Sequence, residues 1–282
     1  MKKSIFSLFL AILLILSLAA PSFAAAPSPL PAHFTATVTS TQSENSDTCI
    51  YTYDRTTGAL RLDCDTYNSA FLAPLVDFSK SEDMPLLLAA FNYVGSLDNG
   101  YTCFDNGETF LFASSPLILS GTVKQIIIPQ PHVTTIYEFD VSGGRLQRYT
   151  HRDEYYRYYR VYHYEGGQLH FIETTQPDVG TFPFANIYYD AGRIKGGNYT
   201  SSVHGFPFTV EYDSRGRVSR AWNGNTTSRY LYVGDSLAGL YTTSNKNPTQ
   251  FTRSTFCTEN GRIQQFQFRG TKSKQNVIFN YN

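Results

Sequence analysis

Apolar and polar positions alternate along much of the chain, and from residue 136 onward short glycine-containing turns interrupt the alternation at regular intervals. Each unit runs from an aromatic and an acidic residue, through the turn, to a basic or polar residue and an aliphatic one. Alternation with a period of two is typical of β-strands, and Gly-Gly or Asn-Gly turns are typical of β-hairpins. The units from residue 136 onward follow one another at spacings of 20 to 26 residues and begin at Phe139, Tyr164, Tyr189, Tyr212, Tyr232 and Thr258.

The turn lengths predict which residues face each other across each hairpin. The aromatic–aliphatic pairs are Phe139–Leu146, Tyr164–Leu169, Tyr189–Ile194 and Tyr212–Val218. The neighbouring charged pairs are Asp140–Arg145, Asp190–Arg193, Asp213–Arg217 and Glu259–Arg262. Counting further from the Tyr212 turn along both strands places Val210 opposite Arg220. Pairs of both kinds stabilise a sheet by about 0.2–1 kcal/mol each.

We therefore predict an all-β fold of consecutive antiparallel hairpins. The sheet must curl or close, because a long flat array would expose unpaired edges and an aromatic face. One short helix is predicted near residues 84–92, with Asp83 as its N-cap and Pro85 in its first turn. The chain divides into an N-terminal β region, 35–135, and the hairpin repeats, 136–282, which are expected to form one continuous domain.

The N-terminus has the pattern of an export signal. Lys2 and Lys3 precede an apolar stretch, and Ser22-Phe23-Ala24 matches a cleavage site. Residues 1–24 are therefore predicted to be a signal peptide, followed by a Pro-rich linker over residues 25–34. No later segment reaches the ~20 apolar residues of a spanning helix. We expect a secreted or periplasmic protein with no integral membrane segment after cleavage.

Composition narrows the function classes. The chain has 23 basic and 23 acidic residues, and only 16% of its residues are charged, whereas 15% are aromatic. Bulk positive charge, the usual basis of nucleic-acid binding, is lacking, so no nucleic-acid partner is expected. We also find no Cys-x-x-Cys motif, phosphate-binding glycine loop or meaningfully spaced carboxylate pair. The sequence thus predicts a protein that is not an enzyme and needs no cofactor.

One short motif invites a catalytic interpretation. Gly234-Asp235-Ser236-Leu237 matches the start of a hydrolase signature in which the serine is the nucleophile. It falls where a repeat turn is due, however, with Tyr232 and Leu237 as the expected cross-strand pair. No histidine follows His204, so the general base that such a serine requires is missing in the expected order. We interpret Ser236 as a turn residue.

Four cysteines in an exported chain favour disulfide bonds. If Asp54 faces Ala59 in the first hairpin, Cys49 and Cys64 lie directly opposite each other, as a disulfide requires. We therefore predict a Cys49–Cys64 bond. A Cys103–Cys257 bond stays open, because it requires the sheet to curl back on itself.

The segment from Tyr155 to Tyr164 supplies the candidate binding site. Alternation places Tyr155, Arg157, Tyr159 and His163 on one face of a strand, opposite a face of further tyrosines. Exposed tyrosine beside arginine suits stacking on sugar rings or contact with a partner protein. The alternative is a strand buried on both sides.

Two further features are weaker. His163 and His170 are expected to face each other across the Gly166-Gly167 turn, which makes them weak candidates for metal ligands, although zinc requires three or four. Asn198 and Asn225 begin glycosylation sequons, which have meaning only in a eukaryotic host.

The unit Tyr212-Asp213-Ser214-Arg215-Gly216-Arg217-Val218 resembles the tyrosine-aspartate (YD) repeat of RHS-type proteins, and the likeness extends over roughly residues 136–270. It implies an array of hairpins and binding to surfaces or carbohydrates. Residues 33–115 resemble the start of ependymin-like and lipoprotein-carrier folds, which wrap an antiparallel sheet around a helix to hold an apolar ligand.

Two function classes follow from these observations. The first is an extracellular binding or structural module for a cell-surface polysaccharide or protein. The second is a carrier of a lipid or fatty acid inside a curved sheet. A cavity lined by aromatic residues would favour the carrier, and a filled core with an exposed aromatic strip would favour the binding module.

Overall fold

The computed structural model describes residues 30–40, 43–64, 69–76, 108–200, 205–223, 226–259, 262–270 and 274–281. The elements of the first half are β1 (His33–Ser40), β2 (Ser43–Asp54), β3 (Ala59–Cys64), the 3₁₀ helix η1 (Ser69–Leu75), α1 (Glu108–Ser114), α2 (Pro116–Leu119), β4 (Gln125–Gln130), β5 (Val133–Ser142), β6 (Arg145–Arg152), β7 (Arg157–Glu165) and β8 (Gln168–Gln176). Those of the second half are β9 (Gly180–Asp190), β10 (Arg193–Thr200), β11 (Gly205–Tyr212), β12 (Val218–Asn223), β13 (Thr226–Val233), β14 (Ser236–Ser244), β15 (Phe251–Glu259), β16 (Arg262–Gly270) and β17 (Lys274–Asn280).

The 17 strands of the described chain form one sheet that closes on itself. Each strand pairs with its neighbours in chain order, and β17 pairs with β1, for example through Ala36 opposite Phe279. A closed barrel leaves no sheet edge to attract another chain. The predicted all-β fold of consecutive hairpins is confirmed, and of the two predicted forms the sheet takes the closed one.

Every pairing between described strands is antiparallel except that of β3 with β4, where Leu60 lies opposite Ile126 in a parallel register. Parallel neighbours require a connection that returns the chain to the starting end of the sheet. The described parts of that connection are η1, α1 and α2. Their side chains Phe71, Phe112 and Ile118 are almost completely buried, so these helices lie inside the barrel.

The alternation of side chains along the strands separates a buried inner face from an exposed outer face. In β15, Thr252, Ser254 and Phe256 are buried, whereas Arg253 and Cys257 are exposed. The buried apolar side chains of strands and helices form one continuous core cluster. Burial of this apolar surface is the main force that closes the sheet around the helices.

Inward-facing tyrosines tie the internal helices to the wall. Tyr51 donates its hydroxyl hydrogen to the carbonyl oxygen of Phe71 in η1, over 2.7 Å. Tyr162 donates in the same way to the carbonyl oxygen of Thr109 in α1, over 2.7 Å. Both tyrosines are buried, and the two bonds anchor η1 and α1 to the strands of the wall.

The aromatic position of the repeat joins successive hairpins. Its tyrosine hydroxyl donates to the carbonyl oxygen of the aliphatic residue of an earlier hairpin, over 2.6 to 3.0 Å, in the pairs Tyr164–Leu146, Tyr189–Leu169, Tyr212–Ile194 and Tyr232–Val218. The basic position completes the link, because its guanidinium lies 4.3 to 5.7 Å from the next aromatic ring in the pairs Arg145–Tyr164, Arg193–Tyr212 and Arg217–Tyr232. The repeat thus encodes contacts between hairpins as well as within them.

The acidic position of the repeat shapes the turn. Asp213 accepts hydrogen bonds from the backbone N–H groups of Arg217 and Arg215, each over 2.9 Å, and from Nε of Arg217 over 2.8 Å. These bonds from Arg217, followed by that from Arg215, lower the pKa of the Asp213 carboxyl group. The ionised carboxylate therefore holds the turn closed at neutral pH.

Most of the predicted registers are confirmed. The observed pairs include Tyr164–Leu169, Tyr189–Ile194, Tyr212–Val218, Asp190–Arg193 and Glu259–Arg262. The backbone N–H of Asp213 also donates to the carbonyl oxygen of Arg217, as expected for a facing pair.

Two registers are wrong. Leu146 faces Val141, not Phe139, because Gly143-Gly144 form a two-residue turn between Ser142 and Arg145. Val210 faces Ala221, not Arg220, because a β-bulge follows Glu211. A bulge adds one residue to one strand, so every later residue of that strand meets a different partner from the one that simple counting predicts.

The first hairpin forms as predicted. Cys49 lies opposite Cys64, and the two are joined by a disulfide bond. Cys257 is an exposed free thiol on the outside of β15. Cys103 lies outside the described residues, so its bond to Cys257 stays a prediction.

Several further predictions fall outside the described residues. They are the signal peptide over 1–24, the helix near 84–92 and the sequon at Asn225. Among the residues that are described, no helix is long and apolar enough to cross a membrane.

Candidate functional site

The candidate site lies where β6 turns into β7, at the rim of the barrel opposite to the repeat turns. The Asp153 carboxylate accepts hydrogen bonds from the backbone N–H groups of Tyr155 (2.8 Å) and Tyr156 (2.7 Å). The backbone N–H of Asp153 donates to the carbonyl oxygen of Tyr156 over 2.9 Å. This small turn holds the Tyr155 ring out into solvent, where 81% of its surface is exposed.

The strand that follows confirms the alternation predicted from the sequence. Arg157 and His163 are exposed on the outside of β7, with the half-buried Tyr159 between them. On the other side of the strand, Arg160 and Tyr162 are buried in the interior. The four predicted site residues thus lie along one outward-facing stretch, and we call Tyr155, Arg157, Tyr159 and His163 the aromatic patch.

Neighbouring strands surround Tyr159 with polar groups. Tyr159 lies directly between Thr150 of β6 and Thr175 of β8, and the guanidinium of Arg148 lies 5.8 Å from its ring centre. At the far end, Nε2 of His163 lies 2.9 Å from a carboxylate oxygen of Glu173. An aromatic ring flanked by hydroxyl and guanidinium donors can stack on the apolar face of a sugar while its neighbours bind the sugar hydroxyls.

Asp153 and His151, at the base of the Tyr155 turn, keep the same ionisation states near neutral pH. Burial raises the pKa of Asp153, but the hydrogen bonds from Tyr155, Tyr156 and His151 together lower it by more. The net pKa of Asp153 is therefore below its ordinary value. Burial lowers the pKa of His151, and the nearby carboxylate of Asp153 opposes this shift only in part. Asp153 is therefore ionised and His151 neutral at pH 7, which keeps the turn hydrogen-bonded.

The predicted facing pair of histidines does not form. His163 lies opposite Phe171, because a β-bulge between His163 and Tyr164 shifts the register. The ring of His170 packs instead 5.1 Å from that of Tyr189. Among the described residues, no group of three or more His, Cys, Asp or Glu side chains could hold a metal ion.

Ser236 lies where the turn interpretation places it. It faces Val233 directly across the β13–β14 turn, and Tyr232 faces Leu237 one step further in. The last described histidine before Ser236 in the sequence is His170, which lies in β8 on another part of the wall.

One buried guanidinium was not predicted from the sequence. Arg160 faces the interior, where Nη1 donates to the Tyr149 hydroxyl (2.9 Å) and Nε to Thr174 Oγ1 (3.1 Å). Its guanidinium lies 3.8 Å from the ring centre of Phe184. Burial lowers the pKa of Arg160 to about 9. The alternation Tyr158-x-Arg160-x-Tyr162 carries this signal, since it places Arg160 on the face that tyrosines bury.

Comparisons with known proteins assign no family. No family model and no curated protein matches the sequence. Among solved structures, a porin-like protein from Bacteroides uniformis aligns over 91% of this chain and 99% of its own, with 8% sequence identity and a TM-score of 0.37. A sequence identity and a TM-score this low carry no argument about function.

Proposed function

We propose that the protein is an extracellular binding module that holds a cell-surface polysaccharide on the aromatic patch. The observation that carries this proposal is the Tyr155 ring, which is 81% exposed on a turn fixed by Asp153. Exposing a large aromatic ring forgoes the stabilisation of about 1.5–3 kcal/mol that burial would give. A fixed turn lowers the entropy lost on binding.

The packing of the described interior supports a binding module over a carrier. A carrier of a lipid or fatty acid requires an apolar cavity of several hundred cubic ångströms. In the described interior, Phe112 and Ile118 of the internal helices pack against the strands and are completely buried. One cleft of about 320 Å³ lies among the described residues and is lined mainly by charged and polar side chains such as Asp190, Arg193 and Glu211.

The outer surface of the barrel favours a binding site that is exposed to solvent. Exposed large apolar side chains of the described residues are scattered, as at Val179, Tyr188 and Val233. Arginines occupy outward positions between them, for example Arg253 near the start of β15 and Arg269 near the end of β16. A barrel that spans a bilayer carries instead a continuous outer apolar band of about 25 Å.

Replacing Tyr155 and Tyr159 together with alanine is expected to weaken polysaccharide binding roughly tenfold or more. Each ring contributes about 0.5–1.5 kcal/mol of stacking, and 1.4 kcal/mol corresponds to a factor of ten in Kd. The measurement is binding of the purified chain, without its leader, to an array of polysaccharides, followed by titration with the strongest ligand.

A matched control changes Tyr188 and Val233 to alanine, which removes exposed apolar surface elsewhere on the barrel. This control is expected to bind like the unmodified protein. Binding that survives the loss of Tyr155 and Tyr159 would place the site elsewhere. A protein that binds no polysaccharide at all would contradict the proposed function.

A further inference from the structure

The outer face of β12 to β17, on another part of the barrel wall from the aromatic patch, carries a row of five basic side chains and one tyrosine. Strand register places each member directly opposite the next. The inward neighbours Ala221, Ser228 and Ser254 are buried, which fixes the row on the outside. We call the row the basic row, and its members are Arg220, Arg229, Tyr241, Arg253, Arg269 and Lys274.

Like charges directly opposite each other destabilise a sheet. Arg253 faces Arg269 across β15 and β16, and Arg220 faces Arg229 across β12 and β13. Within the described part of the chain, no carboxylate lies within ion-pair distance of Arg229, Arg253 or Arg269. The nearest acid in register is Glu211, at the end of the row, 3.7 Å from Arg220. The free protein therefore bears a charge repulsion that a bound anion would relieve.

The basic row belongs to a wider separation of charge along the chain. The whole chain has 23 basic and 23 acidic residues, but residues 218–282 contain eight basic residues and only two acidic ones, Asp235 and Glu259. Asp235 lies in the β13–β14 turn, and Glu259 ends β15 opposite Arg262. Both acids lie at the repeat-turn rim, so the middle of this wall has a positive potential.

The shape of the row suits an extended ligand. Neighbouring strands lie about 4.8 Å apart, so six strands carry the row over about 24 Å. Its flanks offer groups that bind sugars. The guanidinium of Arg220 lies 4.8 Å from the ring of Trp222, while Thr255 and Gln267 face each other one step to the other side.

We propose that the basic row binds a linear acidic polysaccharide, with carboxylate groups of successive sugars contacting successive arginines. Arginine binds a carboxylate through two parallel hydrogen bonds, which makes these contacts specific as well as attractive. The flanking hydroxyl and amide groups favour a polysaccharide over other polyanions. This site is independent of the aromatic patch in position and in chemistry.

The test compares two polymers with the same backbone, polygalacturonic acid and its methyl ester, by calorimetric titration of the chain without its leader. Polygalacturonic acid is expected to bind at least tenfold more tightly than the ester. Its affinity should also fall roughly tenfold between about 50 mM and about 200 mM salt, because salt screens these exposed charges. Changing Arg229, Arg253 and Arg269 together to glutamine should remove most of this binding.

The control variant changes Arg55, Lys124 and Lys195 to glutamine. These are exposed residues outside the row, and their replacement alters the net charge by the same amount. The control is expected to retain binding, as is the variant that lacks Tyr155 and Tyr159. Equal binding of the acid and its ester, or equal losses in both triple variants, would overturn the proposal. Tighter binding to single-stranded DNA of matched charge would do the same.

Discussion

Replacing Phe112 with alanine is expected to lower the free energy of unfolding by about 3–5 kcal/mol. Phe112 lies in α1 and is completely buried inside the barrel. Its ring centre lies 4.8 to 5.3 Å from those of Phe139, Tyr137 and Tyr149 on the surrounding strands. Removing the ring deletes apolar contacts on several sides and leaves a cavity that a closed wall cannot easily fill. Urea denaturation of the purified protein measures the change.

The control is Val179→Ala, at a loop position that is 70% exposed. This variant is expected to stay within about 0.5 kcal/mol of the unmodified protein. A loss below about 1 kcal/mol for Phe112→Ala would mean that α1 does not pack inside the barrel. The filled interior, on which the argument against a carrier depends, would then be wrong.

Replacing Cys49 and Cys64 together with alanine is expected to lower the free energy of unfolding by about 3 kcal/mol. The bond joins residues separated by 15 positions, and closing a loop of this length restricts the unfolded chain by about that amount. Alanine avoids a new buried hydroxyl group at Cys49, which is fully buried. Urea denaturation under non-reducing conditions provides the comparison.

Cys257→Ala provides the matched control, because the Cys257 thiol is exposed and free. Its loss is expected to change stability by less than about 0.5 kcal/mol. If this variant is as unstable as the double variant, Cys257 forms a stabilising bond that the structure lacks. Peptide mapping without reductant would then identify its partner, with Cys103 as the first candidate.

The local features of the fold could be predicted from the sequence because they depend on neighbours along the chain. The two cysteines of the first hairpin could be paired by counting back from one turn, and Cys49 does lie opposite Cys64. The outward face of β7 followed from alternation alone, which is confirmed by exposed Arg157 and His163 beside buried Arg160. Both cases involve a single strand or a single turn.

Features that depend on several strands could not be predicted in this way. A β-bulge of one residue separates the expected His163–His170 pair from the observed His163–Phe171 pair. The parallel contact of Leu60 with Ile126 depends on a connection through the interior that no local pattern reveals. The basic row requires five correct registers in succession, so its arginines look unrelated in the sequence.

Native mass spectrometry of the chain from residue 25 onward, purified without detergent, tests the central claim most directly. That claim is a barrel with a filled interior that binds its ligands on the outer wall. The expected result is a protein at the mass of the bare chain with one disulfide bond, from which organic solvent releases no stoichiometric lipid. A lipid or fatty acid bound at about one molecule per chain would contradict it, because such a ligand needs space inside the barrel.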